Sequence, residues 1–182
     1  MEGLEKVRVG EVRMDRFFHG PRPMSLPSIV LIQPKYAHNV GQVFRIAACF
    51  GVEQVWTSGR RIRDAVAMLD RLPREERNRG YREVTLIGCD DPLEHLPSEA
   101  EPVAVEVRAQ SESLPEFVHP ANAVYVFGPE DGSLDRSVLT RCHRFVRIPT
   151  RHCLNLSVAV GTVLYDRAAK ASTFSEREFP AF

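Results

Sequence analysis

The chain has 182 residues, 24 basic and 24 acidic side chains for a formal net charge of zero, 43% hydrophobic residues and 4 cysteines. That length suits one domain burying roughly two thirds of the surface its unfolded chain exposes, with no staple needed for stability, and the absence of net charge argues against indiscriminate coating of nucleic acid. Cys49, Cys89, Cys142 and Cys153 are scattered without a C-x-x-C pair, which speaks against a disulfide framework or a metal site and for a reducing compartment.

Residues 1–24 lack sustained periodicity, and Pro21, Pro23 and Pro27 separate them from the rest of the chain, so they read as an N-terminal extension to one domain over 25–172, with 173–182 as a tail. Their first fifteen residues are charged throughout, and no apolar run approaches the roughly 18 residues of a membrane span. The expectation is a soluble, unexported, cytoplasmic protein. Ser28 to Ile32 reads as a buried strand stopped by Pro34. Val40, Val43, Phe44, Ala47 and Ala48 then repeat at helical spacing until Gly51. Gln54 to Trp56 is the next strand, with Trp56 in the core. Residues 60–72 are helix-like and 73–80 form an arginine-bearing loop. Strands are expected at 84–87, 103–107, 124–127 and 145–148, and helices at 134–141 and 155–170. Alternating strands and helices predict an α/β fold with a mostly parallel sheet covered by helices on both faces.

Charge is unevenly spread. Eight arginines lie between Arg60 and Arg82, and Arg141, Arg144, Arg147 and Arg151 form a second basic run, whereas the acidic stretch from Asp90 to Glu116 contains only Arg108 against it. Such segregation suits one face that meets an anion and one that does not. The six histidines have no metal-ligand spacing and read as surface or packing residues.

Three blocks carry polar groups at the ends of apolar runs, where ligands of open α/β sheets sit. In the first, Asn39 to Arg45, Asn39 is placed to cap a helix, and Gly41 and Arg45, four residues apart, share one helix face. In the second, Val124 to Gly132, two glycines and a proline enforce turns that leave backbone groups unpaired and able to hold an adenine or a ribose, with Glu130 beside them. In the third, Arg147 to Asp166, Asn155 and Ser157 open an apolar helix at its positive end. A capped helix with a surface arginine, an acidic loop tip and a second cap are the plainer readings of each block alone.

In this order the blocks resemble the three motifs of the SpoU-type RNA ribose 2′-O-methyltransferases of the SPOUT class: N-V-G-Q-V-F-R at 39–45, F-G-P-E-D-G at 127–132, and I-P followed by L-N-L-S within 148–157. The resemblance runs from about Ile29 to Lys170. It implies a deep C-terminal trefoil knot, a homodimer, no metal, and S-adenosylmethionine held by the knot loops, which map by position onto Phe127, Gly128, Ile148, Pro149, Leu154 and Asn155. It carries Asn39, Arg45 and Glu130 to the acceptor ribose and makes Asn155 an organiser of the site. The implied substrate is RNA, with tRNA favoured over rRNA because a compact shaped RNA suits a protein without a large appended RNA-binding domain. Arg45 acts there as a base or as an electrostatic stabiliser of the developing alkoxide. Two departures stand out. Cys153 replaces the family's serine before Leu-Asn, and the 150–153 loop is short, leaving Arg151 and His152 where a longer loop would make contacts. Three alternatives accompany this reading: an inactive RNA-binding dimer of the same fold, a base-directed methyltransferase, and an unrelated nucleotide-binding protein.

Overall fold

The computed structural model describes residues 24–59 and 84–171. The N-terminal extension, the arginine-rich segment expected as helix and loop at 60–80, and the C-terminal tail lie outside the described residues. Seven strands form one sheet: β1 Ser28–Leu31, β2 Gln54–Thr57, β3 Thr85–Gly88, β4 Glu101–Val105, β5 Glu112–Ser113, β6 Ala123–Phe127 and β7 Arg144–Arg147, in the order β3-β2-β1-β6-β4-β7-β5. Every pairing is parallel. The helices are α1 Ala37–Cys49, the single turn α2 Arg136–Leu139, and α3 Leu156–Lys170.

Both faces of the sheet are buried, which is why the central strands read as continuous apolar runs rather than alternating ones. Ile29 and Leu31 of β1, Tyr125 and Phe127 of β6 and Val103 of β4 meet α1 and α3 in one core. Their neighbours Val30, Val126 and Ala104 meet Trp56, Leu93, Leu134 and Leu139 in the other. α1 buries Val40, Val43, Phe44 and Ala47 and exposes His38, Gln42, Arg45 and Cys49, the two stripes of an amphipathic helix. It ends at Gly51, whose φ of 68° is a left-handed conformation that glycine takes without steric cost.

Several expected boundaries shift. β4 runs over 101–105 rather than 103–107: Glu106 N still donates to Val146 O at 3.0 Å, and beyond it the chain leaves the sheet toward a turn at residues 109–110. The helix expected over 134–141 is one turn long, since the chain must re-enter the sheet at Arg144. β5 and the 3₁₀ turns Pro92–His95 and Leu114–Glu116 are too short to leave a periodic signal. Val105 and Glu112 both pair with Val146, from opposite sides. Residues 106–111 therefore arch across the end of β7, braced by Ser111, whose Oγ donates to Glu106 O at 2.7 Å and accepts from Arg108 N at 3.2 Å.

Candidate functional site

From β1 the chain moves outward to β2 and β3, while every later strand lies on the other side, beginning with β6. The carboxyl ends of β1 and β6 therefore form the topological switch point, where open parallel sheets bind ligands. Ile32 N donates to Phe127 O at 2.9 Å, one residue beyond the β1 strand. Then the two chain segments part, and the three blocks converge.

Glu130 is the hub. Its carboxylate accepts from Lys35 N at 2.7 Å, Tyr36 N at 3.4 Å and Asn39 Nδ2 at 2.7 Å. Asn39 Oδ1 accepts from Asn155 Nδ2 at 2.8 Å, and Asn155 Oδ1 accepts from Ser157 N at 2.9 Å. Ser157 Oγ lies 2.7 Å from Asn155 Oδ1 and 2.6 Å from Gln42 Oε1. A carboxylate only accepts, so Asn39 must offer Nδ2 to Glu130 and its oxygen to Asn155, which then turns its own oxygen toward the start of α3. The charge of Glu130 thus sets the orientation of both amides. Ser157 has one hydroxyl proton for these two oxygens and so donates to one of them at a time.

Asn39 does not cap α1, contrary to its expected role. The N-cap is Tyr36, which has no side-chain cap of its own. Glu130 instead holds the N–H groups of Lys35 and Tyr36, just ahead of the helix, and puts negative charge near the helix's positive end. The buried Asn39 side chain is left to bridge two other blocks. Asn155, by contrast, is the N-cap of α3 as its position suggested. Lys35 pairs with Asp131 at 3.0 Å, and that hydrogen bond and charge hold its ammonium above its ordinary pKa.

Arg45 is not drawn into this network. It is exposed on the α1 face that carries Gln42, and its guanidinium has no hydrogen bond or ion pair among the described residues. Phe127 is buried at the end of β6, and Gly128 is tightly placed: a Cβ there would stand 3.3 Å from Leu134 N. Ile148 and Pro149 follow β7, and Leu154, 37% exposed, precedes α3. The backbone N–H groups of Gly128, Ile148 and Leu154 donate to nothing among the described residues.

Sequence reasoning missed Glu106, whose carboxylate accepts from Leu134 N at 3.1 Å and so ties the turn after β4 to the turn after β6. It also missed Gln42, which helical spacing from Asn39 places on an adjoining face. Folding partly dissolves the charge segregation of the sequence. Asp91 pairs with Arg141 at 2.5 Å and Glu112 with Arg144 at 2.6 Å, joining the acidic stretch to the second basic run. Arg147 and Arg151 stay exposed and unpaired among the described residues. Burial pushes the Cys89 thiol up to about 12 and the Cys142 thiol up to about 11, so neither is a thiolate at neutral pH.

The chain is 26% identical over 169 residues to an uncharacterized tRNA/rRNA methyltransferase of Synechocystis sp., an alignment covering 87% of this chain and 58% of that relative's length. A protein solved to explain the 2-OH methylation of C/U34 on tRNA superposes with a TM-score of 0.64 at 29% identity, over 80% of this chain and 90% of the other. The fold of the SpoU methyltransferase AviRb from Streptomyces viridochromogenes, in complex with AdoMet, is also similar, with a TM-score of 0.65 at 16% identity over 89% of this chain and 63% of that one. The model of the SpoU rRNA methylase family matches residues 27–165, a span that contains the motifs of all three converging blocks, and the chain belongs to that family.

Proposed function

We propose that the protein is an RNA 2′-O-ribose methyltransferase that uses S-adenosylmethionine and acts on tRNA. The observation that carries this reading is the hydrogen-bonded chain Glu130–Asn39–Asn155–Ser157, which joins all three motif blocks at the switch point of the sheet. Family membership supports methyl transfer to RNA. The similar protein concerned with C/U34 of tRNA supports the ribose and the tRNA over rRNA.

S-adenosylmethionine supplies a methyl group already electrophile enough to need little activation, so the protein's task is alignment and charge. Unspent N–H groups at Gly128, Ile148 and Leu154, beside the exposed apolar Leu154, fit an adenosine's polar edges and flat face. The same reading puts Phe127 and Pro149 in the donor's surroundings. Cys153, exposed beside Leu154, adds a small side chain there. Glu130, Asn39 and Asn155 hold the acceptor ribose; fixed amide orientation makes their donors and acceptors ready before the substrate arrives, and positioning of this kind contributes roughly 7–11 kcal/mol. Arg45 meets the acceptor 2′-oxygen. A guanidinium is a poor base, so its part is to stabilise the developing alkoxide while the hydroxyl proton passes to solvent water, and having no partner among the described residues leaves it available.

Two further features belong to this reading. The 106–111 arch surrounds the end of β7, and the chain passes from α2 on one core through β7 to α3 on the other, which supports the C-terminal trefoil knot within a 25–172 domain. On α3, Val158 and Tyr165 are 51% and 61% exposed seven residues apart, an apolar row that supports a homodimer. Unpaired exposed cysteines and an RNA substrate suit the cytoplasm.

The test is transfer of tritiated methyl from S-adenosylmethionine to tRNA and, separately, rRNA, followed by digestion to nucleosides. The expected product is a 2′-O-methylnucleoside from tRNA that disappears with Arg45→Ala while donor binding persists. A base-methylated nucleoside would overturn the ribose assignment. RNA binding without any transfer would favour an inactive binding dimer.

A further inference from the structure

Ten basic side chains lie among the described residues, and five of them, Lys35, Arg141, Arg144, Arg167 and Lys170, are engaged by carboxylates or backbone oxygens. The other five, Arg45, Arg108, Arg136, Arg147 and Arg151, have no side-chain partner there. Arg108, Arg136, Arg147 and Arg151 all lie at or after the carboxyl ends of β4, β6 and β7, around one edge of the sheet. Two of them flank a groove of about 600 Å³. Arg108 and Gln110 line it from the arch and Arg136, Leu139 and Thr140 from α2 and its end, together with Leu134 and Phe145. No carboxylate lines it.

From this arrangement we infer that the groove is an RNA subsite, taking a nucleotide next to the one that is methylated. A lining of three apolar side chains and two arginines suits a base that sheds its water against Leu134, Leu139 and Phe145 while its phosphate is held by guanidinium groups. Unpaired arginines spread along one edge suit a polyanion better than a single small anion. Leu134 closes the same turn that begins at Gly128 and carries Glu130, so the groove and the polar network share the 128–134 segment. A strand laid across that segment reaches both. The inference rests on the RNA reading above and adds where the neighbouring nucleotide is held.

The experiment compares wild type with the double variant Arg108→Ala/Arg136→Ala, neither residue belonging to the polar network. Binding of unfractionated tRNA is measured by fluorescence anisotropy across a salt series, and binding of S-adenosylmethionine by calorimetry. The expected result is RNA affinity weakened about tenfold near physiological salt, with the slope of log K against log salt shallower by about one to two, and donor affinity unchanged. The pair Arg108→Lys/Arg136→Lys should restore most of the slope. Unchanged RNA affinity and slope in the alanine variant would overturn the inference, as would a loss of donor affinity, which would assign the groove to the donor. If wild type binds tRNA with the expected salt dependence yet transfers no methyl group, the methyltransferase reading falls while the groove is still judged by the slope.

Discussion

The two ends of α3 carry polar networks of similar size and opposite character. At its start, Asn155 and Ser157 connect through Asn39 to Glu130 at the open edge of the sheet, with an unpaired arginine on the neighbouring helix. Near its end, Arg167 donates to Tyr125 Oη at 3.1 Å, Tyr125 Oη lies 2.6 Å from His119 Nδ1, and His119 Nε2 lies 2.8 Å from Asp166 Oδ2. Lys170 closes that set, pairing with Asp166 at 2.7 Å and donating to Leu114 O and Phe117 O. A single assignment satisfies every group: arginine to phenol oxygen, phenol proton to Nδ1, Nε2–H to carboxylate. The His119 side chain is only 5% exposed, and Tyr125 is buried. One network stops at the surface beside an arginine with no partner among the described residues, and the other is complete, with His119 and Tyr125 covered at its centre. Open polar ends belong where a ligand will finish them; closed ones hold the fold.

Four substitutions break that comparison in turn. Removing Arg45 should have the largest effect, lowering turnover about 100- to 1,000-fold, the usual loss when one stabilising donor is deleted. The thermal midpoint should not move, because nothing among the described residues leans on that side chain; a large drop in melting temperature would show that Arg45 is structural. Tyr125→Phe should do the reverse. It strips His119 Nδ1 of its donor in a buried place, costing about 1–3 kcal/mol, with turnover per folded molecule unchanged. Denaturant titration alongside single-turnover kinetics separates the two effects.

Acid sharpens the same contrast. Burial holds the His119 pKa below its ordinary value of 6.5, against the opposing pull of Asp166. An unfolded histidine therefore takes up a proton before the folded one does. This contribution to stability is fully present above about pH 6.5 and declines as the pH falls from there through the folded value. Unfolding curves between pH 8 and 5 should show that decline in the wild type and less of it in His119→Phe; equal slopes would refute the assignment. Ser157→Ala should have the smallest effect, removing the link to Gln42 while leaving the Asn155 cap on Ser157 N. It should cost about 1 kcal/mol of stability and reduce turnover by a small factor, measured with saturating RNA.

Much of this was legible from residue order. β1 and β6 announce themselves as uninterrupted apolar runs because both of their faces are covered, and Trp56 reads as core and is core. The three blocks were separable in the sequence, and Asn155 was placed at the helix start it occupies. What escaped was whatever depends on partners far along the chain. Asn39 looked like a cap because asparagine before an apolar helix commonly is one; the carboxylate that takes its amide instead lies more than ninety residues away. His119 read as an ordinary surface or packing histidine, since Asp166 is 47 residues distant and no spacing links them. β4 looked two residues longer toward Val107 because alternating valines do not reveal where a strand must turn to clear another one.

That turn has a consequence for how the molecule is made. Among the described residues β5 pairs with β7 alone, so Glu106 to Ser111, although made earlier, can arch over the end of β7 only once β7 is in place. The arch therefore waits for a strand made after it, and the helix that delivers Asn155 to the site follows that strand directly in the chain.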